Sequence, residues 1–532
     1  MTVHRLALVL AFPLLAVPAA AQSAAQGDAS AVFVVRIGAD TIAVERATIA
    51  ARRAEGAMWM RTPPSLVRQV VELDATGAAQ RATTTLGRGV RGDSALKRLD
   101  VTIAGDSGTA QPYDAAAPAP LPSQRIAVPR GAVPFVNLSG LSVELMLRRA
   151  RAAGGDSADV ALLLGNGGSM PARVRRAGAD SATITIGGVV LRARTDAEGR
   201  LLGAVVESQG VVFERLAGSS PAGAWTPARI SYAPPPGAPY TAEDVVITTR
   251  AGLRLAGTLT RPASRAAARL PAVVLITGSG AQDRDEALPT IRDYRPFREF
   301  ADTLSRRGIA VLRLDDRGIG GSDAGPLTAT SADFADDVRA AVAWLRARPD
   351  IDARRVGLVG HSEGAIVAPM VAATDSAIRA LVLIAAPAER GRRILAEQQR
   401  MLLDGGVRLT PAQRDSALAR ASRALDSAAA LPGWLRFFAE YDPLVTARRV
   451  RVPTLILQGT TDRQVSPDQA NTLAAAMRAA GNRRVVVRSF AQMNHLMLED
   501  PSGDPRGYAA LPSMRVRRDM LGALVDWLVR TL

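Results

Sequence analysis

A serine lies between two glycines in the pentapeptide Gly360-His361-Ser362-Glu363-Gly364. The apolar run Val356-Gly357-Leu358-Val359 precedes it and the helix-forming stretch Ala365–Ala373 follows. A serine hydroxyl attacks a carbonyl carbon only when a neighbouring base takes its proton. The context here suits that use. A buried strand turning sharply into a helix lifts the residue at the turn to the end of a sheet, at a helix N-terminus, and flanking glycines permit the close backbone approach. Five residues of this pattern recur by chance; the same five between a strand and a helix are specific.

The search for a base is short, because the chain has three histidines. His4 falls in an apolar leader. His361 adjoins the serine, and its side chain is expected to point away from it. His495 remains, in Phe490-Ala491-Gln492-Met493-Asn494-His495-Leu496, just beyond the expected strand Arg484–Ser489. A base of this kind needs a carboxylate to fix its tautomer and to stabilise the imidazolium. Asp462 follows the expected strand Thr454–Gln458, in Gly459-Thr460-Thr461-Asp462-Arg463-Gln464-Val465; its competitors Glu499, Asp500 and Asp504 all come after the histidine. The candidate catalytic residues are therefore Ser362, Asp462 and His495. The developing oxyanion requires backbone N–H donors. The residue after the nucleophile, Glu363, supplies one. Ser279 in the loop Thr277-Gly278-Ser279-Gly280 is expected to supply the other, with Gly280 as the alternative. Such chemistry passes through an acyl-enzyme on Ser362 and calls for no metal and no organic cofactor.

These residues must be held by an α/β framework. From about 240 onward, apolar runs alternate with helical spacing: strands at Ala272–Thr277, Ile309–Leu314, Val356–Gly360, Ala380–Ile384, Thr454–Gln458 and Arg484–Ser489, and helices near 296–307, 331–347, 363–374, 467–480 and 515–531. Nearly continuous apolar strands alternating with helices predict a mostly parallel sheet covered on both faces. Residues 389–450 break the alternation with helical spacing alone and are expected to form a cap over the active-site end. The segment Asp315-Asp316-Arg317 is expected to pair internally and shape a loop beneath the site.

Together these motifs resemble the α/β-hydrolase superfamily, and more narrowly its branch of bacterial secreted esterases, the serine aminopeptidase-like hydrolases. The resemblance rests on Gly278–Glu286, on Asp315–Ser322, on Gly360–Gly364, on Gly459–Val465 and on Asn494–Leu496, and it covers about 240 to 532. Ala281 and Met497 depart from the branch's usual residues. The resemblance implies an eight-stranded, mostly parallel sheet with helices on both faces, and carboxylesterase activity on a small-molecule acyl ester. A serine aminopeptidase or amidase using the same triad is the alternative; a peptidase would need a carboxylate to hold a peptide's amino group, and Glu397 and Glu440 in the insertion are candidates.

The preceding region differs. Residues 22–231 read as a β-rich domain of short strands and polar turns, such as Val32–Ile37 and Ala182–Ile186, with hairpins closed at Asp74–Gly77 and Asp196–Gly199. One helix is expected near 140–153, and the proline- and alanine-rich stretch 112–124 is expected to be a loop. No chemical motif occurs here, so a binding or anchoring role is the alternative to a structural one. Tyr232–Pro239, with three consecutive prolines, is expected to link this domain to the catalytic domain 240–532. Residues 1–21 have the charged start, apolar centre and small-residue end of a signal peptide, with cleavage expected before Gln22 and a periplasmic or extracellular product. No later segment has the apolar length of a membrane span.

Composition narrows the function classes. The 532 residues contain no cysteine, which excludes disulfides, thiol nucleophiles and thiolate metal sites. The formal charge is +16, almost all from arginine; Lys97 is the one lysine. The arginines are scattered and aromatic residues are 4% of the chain, so the basic balance marks an arginine-rich surface and no nucleic-acid partner.

Overall fold

Two hydrophobic periodicities give this chain two sheets. The computed structural model describes residues 29–37, 40–60, 65–88, 95–115, 120–165, 167–178, 180–187, 189–216, 231–263, 269–280, 282–288, 291, 293–323, 325–326, 328–404, 410–429 and 433–532. The expected signal peptide lies outside these residues.

In the first half, strands alternate buried and exposed positions, as in Arg53–Met60 and Ser65–Leu73. Such alternation buries one face of an antiparallel sheet. The described residues form one fifteen-stranded sheet here. It is built from two meanders, one running from Ala29–Ile37 out to Gln124–Ala127 and the other from Ser157–Leu163 to Val211–Arg215. The two join where Ala29–Ile37 pairs antiparallel with Val211–Arg215, Val35 opposite Phe213. The sheet curls, so that Val101 and Ala110 of one meander share a cluster with Leu163 of the other.

The helix Gly140–Ala153 lies on the inner face and buries Leu141, Val143, Leu145, Met146 and Leu147. Its start is capped twice: the Ser142 N–H donates to the Ser139 hydroxyl, and the Leu141 N–H donates to the buried carboxylate of Glu45 at 3.0 Å. Part of the expected loop 112–124 is strand instead: Ser107–Asp114 includes Pro112. The outer neighbour Gln124–Ala127 pairs only with Ser107–Ala110, so the strand has a free edge at Pro112, where no N–H is needed.

In the second half the strands Leu270–Ile276, Ala380–Ile384 and Thr454–Gly459 are buried at every position, the signature of a parallel sheet covered on both faces. Eight strands are ordered Tyr240–Thr248, Arg254–Pro262, Ala310–Leu314, Leu270–Ile276, Ile351–His361, Ala380–Ile384, Thr454–Gly459, Val485–Phe490. The first two pair antiparallel, and Arg254–Pro262 is antiparallel to Ala310–Leu314; the remaining pairs are parallel. Helices Ser331–Ala347, Gly364–Ala372 and Asp468–Ala479 pack into one core cluster, while Pro296–Arg306 and Arg518–Thr531 pack into another on strand residues of opposite parity. This is the α/β-hydrolase fold expected from the sequence, preceded by a β-rich unit.

Parallel strands bring their carboxyl ends to one edge, where ligands bind in open α/β sheets. Here that edge carries the segments that begin at Thr277, Asp315, Ser362, Ala385, Thr460 and Ala491. Among the described residues, 389–450 supply four helices, Gly391–Asp404, Pro411–Ala429, Trp434–Glu440 and Pro443–Ala447; the first and third stand over this edge, and the last packs back on the core. Among the described residues, no helix is long and apolar enough to cross a membrane.

Candidate active site

The strand Ile351–His361 ends one residue before Ser362, and a helix starts at Gly364. The turn forces Ser362 to φ +52°, a left-handed conformation that L-residues adopt at a cost. Both flanking glycines are obligatory. A Cβ on Gly360 would collide with the Gly364 carbonyl, and one on Gly364 would collide with the Ile276 carbonyl of the neighbouring strand. The Ser362 N–H donates to the Ile384 carbonyl at 2.9 Å, which pins the turn to the adjacent strand.

The three candidates converge. His495 Nε2 is 3.1 Å from Ser362 Oγ, and His495 Nδ1 is 2.9 Å from Asp462 Oδ2. Asp462 is itself held by four donors. Its Oδ1 accepts the N–H groups of Gln464 and Val465, each at 2.9 Å, and its Oδ2 accepts the Gln458 amide at 3.1 Å beside His495. Asn494 shapes the loop of the histidine by accepting the N–H groups of Leu496 and Leu498. The competing Asp500 binds Asn494 and Ser502 instead.

On the oxyanion side, the loop after Ile276 passes so close to the serine that a Cβ on Gly278 would stand 3.3 Å from Ser362 Cβ. The Gly278 N–H is already engaged, donating to Glu286 Oε1 at 2.8 Å. The N–H groups of Ser279 and Glu363 have no acceptor among the described residues. The Glu363 side chain is buried and faces away from this work. Its Oε1 accepts the Ser331 hydroxyl at 2.6 Å and the Trp434 indole N–H at 2.7 Å, which ties the cap to the elbow.

A cavity of about 450 Å³ opens over Ser362 and His495, between Ser279 and Gln282 on the loop side and Ile394, Trp434 and Phe438 of the cap. A larger and more open recess, about 1170 Å³, lies among Arg295, Arg298, Arg306 and Arg515, and touches none of the three candidate residues.

The acidic segment after Leu314 departs from expectation. Asp315, Asp316 and Arg317 pair with distant partners and not with one another. Asp315 takes a two-pronged bond from Arg284, at 3.0 and 2.7 Å. Arg317 reaches Asp337 on the helix Ser331–Ala347. Asp316 accepts the Thr277 hydroxyl at 2.8 Å and the Gln282 N–H at 3.0 Å, bracketing the oxyanion loop. Burial pushes the Asp316 carboxyl well above the usual range despite these donors. Local sequence put these charges side by side, but strand ends bring long-range partners closer than neighbours with diverging side chains. Local sequence gives no sign that Gln458 or Trp434 belongs to the site, whereas Glu286 falls inside the Gly278–Glu286 motif.

Comparison with known proteins bears on this half. Residues 251–422 match the model of the X-Pro dipeptidyl-peptidase (S15) family, and residues 434–512 match that of the prolyl oligopeptidase family. Esterase EstD of Thermotoga maritima is 28% identical over 282 residues, 52% of this chain and 66% of its own length.

The chain belongs to the α/β-hydrolase superfamily.

Further relatives carry other names. A polyketide transferase of a Penicillium species is 34% identical over 143 residues, 27% of this chain and 44% of its own. The chain thus spans less than two thirds of the length of either relative. Among solved structures, a Pyrococcus furiosus esterase aligns over 55% of this chain and 91% of its own, at 17% identity and a TM-score of 0.39.

Proposed function

We propose that this hydrolase is a carboxylesterase. Ser362 attacks the acyl carbonyl and His495 takes the hydroxyl proton. Asp462 orients His495 and stabilises the imidazolium, and the N–H groups of Ser279 and Glu363 receive the oxyanion. The imidazolium then protonates the leaving alcohol. Water, deprotonated in turn by His495, hydrolyses the acyl-enzyme and frees the acid.

The observation that carries the ester reading is the wall of the cavity. Among the described residues its one acidic side chain is Glu286, which already pairs with His361, so none of them offers a free carboxylate to a substrate's amino group. The two acids suggested for a peptidase are elsewhere. Glu397 is bonded to Arg393 and Glu440 lies 3.7 Å from Arg436, on outer turns of the cap, and neither lines the cavity. A neutral, largely apolar wall favours an uncharged ester. The esterase relative supports the same reading, and the two peptidase-family matches support the alternative, a peptidase on the same scaffold. The test compares turnover of p-nitrophenyl acetate and butyrate with that of aminoacyl p-nitroanilides, using wild type and Ser362→Ala. Ester turnover that vanishes in Ser362→Ala is expected; faster turnover of the anilides would replace the esterase reading with the peptidase one.

We also propose that the protein is exported, on the strength of residues 1–21. N-terminal sequencing of the exported protein is expected to begin at Gln22, and a start at Met1 would refute it.

A further inference from the structure

Three loops must meet for Ser362 to work: the oxyanion loop, the elbow and the loop bearing His495. A histidine that the reaction itself does not use touches all three. His361 belongs to the elbow and is 3% exposed. Its Nε2 is 2.9 Å from the carbonyl oxygen of His495, and its Nδ1 is 2.9 Å from Glu286 Oε1. A carbonyl oxygen only accepts, so Nε2 carries a proton. Glu286 Oε1 also accepts the Gly278 N–H of the oxyanion loop, so a single carboxyl oxygen joins the ring to that loop. His361 and Glu286 form a buried pair, with the His361 ring centre 5.0 Å from that of His495. Burial works against the charged ring, but the Glu286 carboxylate and its hydrogen bond outweigh it and raise the pKa of His361.

Such a pair is a poor investment in stability, because desolvation of two charges offsets most of their attraction. Glu286 adds a second cost: its φ is +57°, in the left-handed region. Costs of this kind persist where a geometry is needed. We propose that Glu286 and His361 are positioning residues for the hydrolytic reaction, clamping the His495 loop and the oxyanion loop to the elbow so that base and oxyanion donors keep their distances to Ser362. The inference rests on the triad assigned above. His361 acts through the backbone of His495, and Glu286 acts through Gly278; neither touches the reacting atoms.

The test exploits the reach of side-chain amides. A glutamine amide extends about as far as the Nε2 of a histidine, so His361→Gln keeps a donor for the His495 carbonyl, whereas His361→Leu fills similar volume without one. Displacing a catalytic group by about 1 Å costs on the order of 100-fold. With p-nitrophenyl butyrate, His361→Leu is expected to lower kcat about 100-fold at a KM within about twofold of wild type. His361→Gln is expected to recover about tenfold of that loss. Thermal unfolding is read alongside. The proposal is overturned if His361→Leu keeps kcat within about threefold of wild type, if His361→Gln is no better than His361→Leu, or if kcat falls only in step with a lost folded fraction. Should His361→Leu not fold, Glu286→Gln, which removes the charge and keeps the shape, is expected to lower kcat at unchanged KM, and wild-type kcat would overturn the proposal. Failure of the triad reading looks different: Ser362→Ala would then retain wild-type turnover, whereas failure of this inference alone leaves Ser362→Ala inactive.

Discussion

Replacing Asp462 by asparagine would change two atoms' worth of hydrogen bonding and leave the shape intact. The carboxylate has both oxygens engaged. Two main-chain donors, the N–H groups of Gln464 and Val465, point at Oδ1. They claim the single oxygen of the introduced amide, so its NH₂ must fall where Oδ2 was, facing His495 Nδ1. There it donates to Nδ1. The ring's proton is driven to Nε2, which can no longer accept the proton of Ser362. The fold loses less. Gln458, whose amide now donates to Oδ2, has an unpartnered buried oxygen, and a flip of its amide presents that oxygen to the new NH₂, at the expense of its two longer bonds to the Gly459 and Val465 carbonyls. The stability change is therefore expected to stay near that of one neutral hydrogen bond, about 1 kcal/mol. The kinetic change is expected to be far larger. Trapping the base in the wrong tautomer costs about 10⁴ in kcat in a serine protease triad, equivalent to about 5 kcal/mol of transition-state stabilisation. The assay is p-nitrophenyl butyrate turnover by Asp462→Asn, with thermal unfolding and fluorophosphonate labelling of Ser362 in parallel. Turnover within about tenfold of wild type, at an unchanged melting temperature, would refute the assignment of Asp462 as the partner of His495.

Three further outcomes follow from the same geometry. Trp434→Phe removes the indole donor to Glu363 and keeps an aromatic ring beside Phe438; it is expected to loosen the cap and raise KM for p-nitrophenyl butyrate several-fold, about 1 kcal/mol, and an unchanged KM would show that this bond does not seat the cap. Gly364→Ala puts a methyl group into the Ile276 carbonyl and is expected to abolish soluble, fluorophosphonate-reactive protein, whereas Gly522→Ala, with open space around it, leaves both unchanged; a reactive Gly364→Ala protein would contradict the elbow geometry. Burial pushes the Glu45 carboxyl up to about 7 from 4.5, against its donors from Leu141, Ser139 and Gly140. A raised folded pKa means that the native state binds the proton more tightly, so this contribution is full below about 4.5 and is lost as pH rises through about 7, on the order of 3 kcal/mol. Glu45→Gln should flatten that part of the pH dependence of urea unfolding between pH 4 and 8, and a variant with the wild-type slope would exclude Glu45 as its source.

What the amino-acid order reveals here depends on how far apart the partners lie. The elbow is local: strand, glycine, serine, glycine and helix occupy one short stretch, and sterics alone fix the turn. His495 followed from elimination, since the chain has so few histidines, and Asp462 from its place at a strand end. The hairpins at Asp74–Gly77 and Asp196–Gly199 are equally local and form the turns their residues predict. The contacts that seat the catalytic loops are not local. Glu286 meets His361 and Trp434 meets Glu363 across more than seventy residues, and nothing in either neighbourhood encodes the partner. Asp315 and Arg317 show the same limit from the other side, as opposite charges two residues apart whose backbone directs them to Arg284 and Asp337. That the two meanders of the first half make one sheet was likewise unreadable, because the join pairs Phe33 with Arg215.

That join sets an order of events. Ala29–Ile37 is the middle strand of fifteen, although it comes first in the chain, and one of its two neighbours, Val211–Arg215, comes last. The centre of the sheet is thus completed only when the whole segment is present, while its periphery can form from hairpins as they emerge. Contacts of such long sequence separation close slowly, because the loop entropy comes before the reward. Until then the edge of Ala29–Ile37 stands open, in contrast with the finished sheet, whose outermost strands are the four-residue Gln124–Ala127 and the two-residue Val133–Pro134, too short to recruit another chain. A cut near the amino end would accordingly not trim this sheet at its border but divide it into two groups of seven strands, each with a newly unpaired edge.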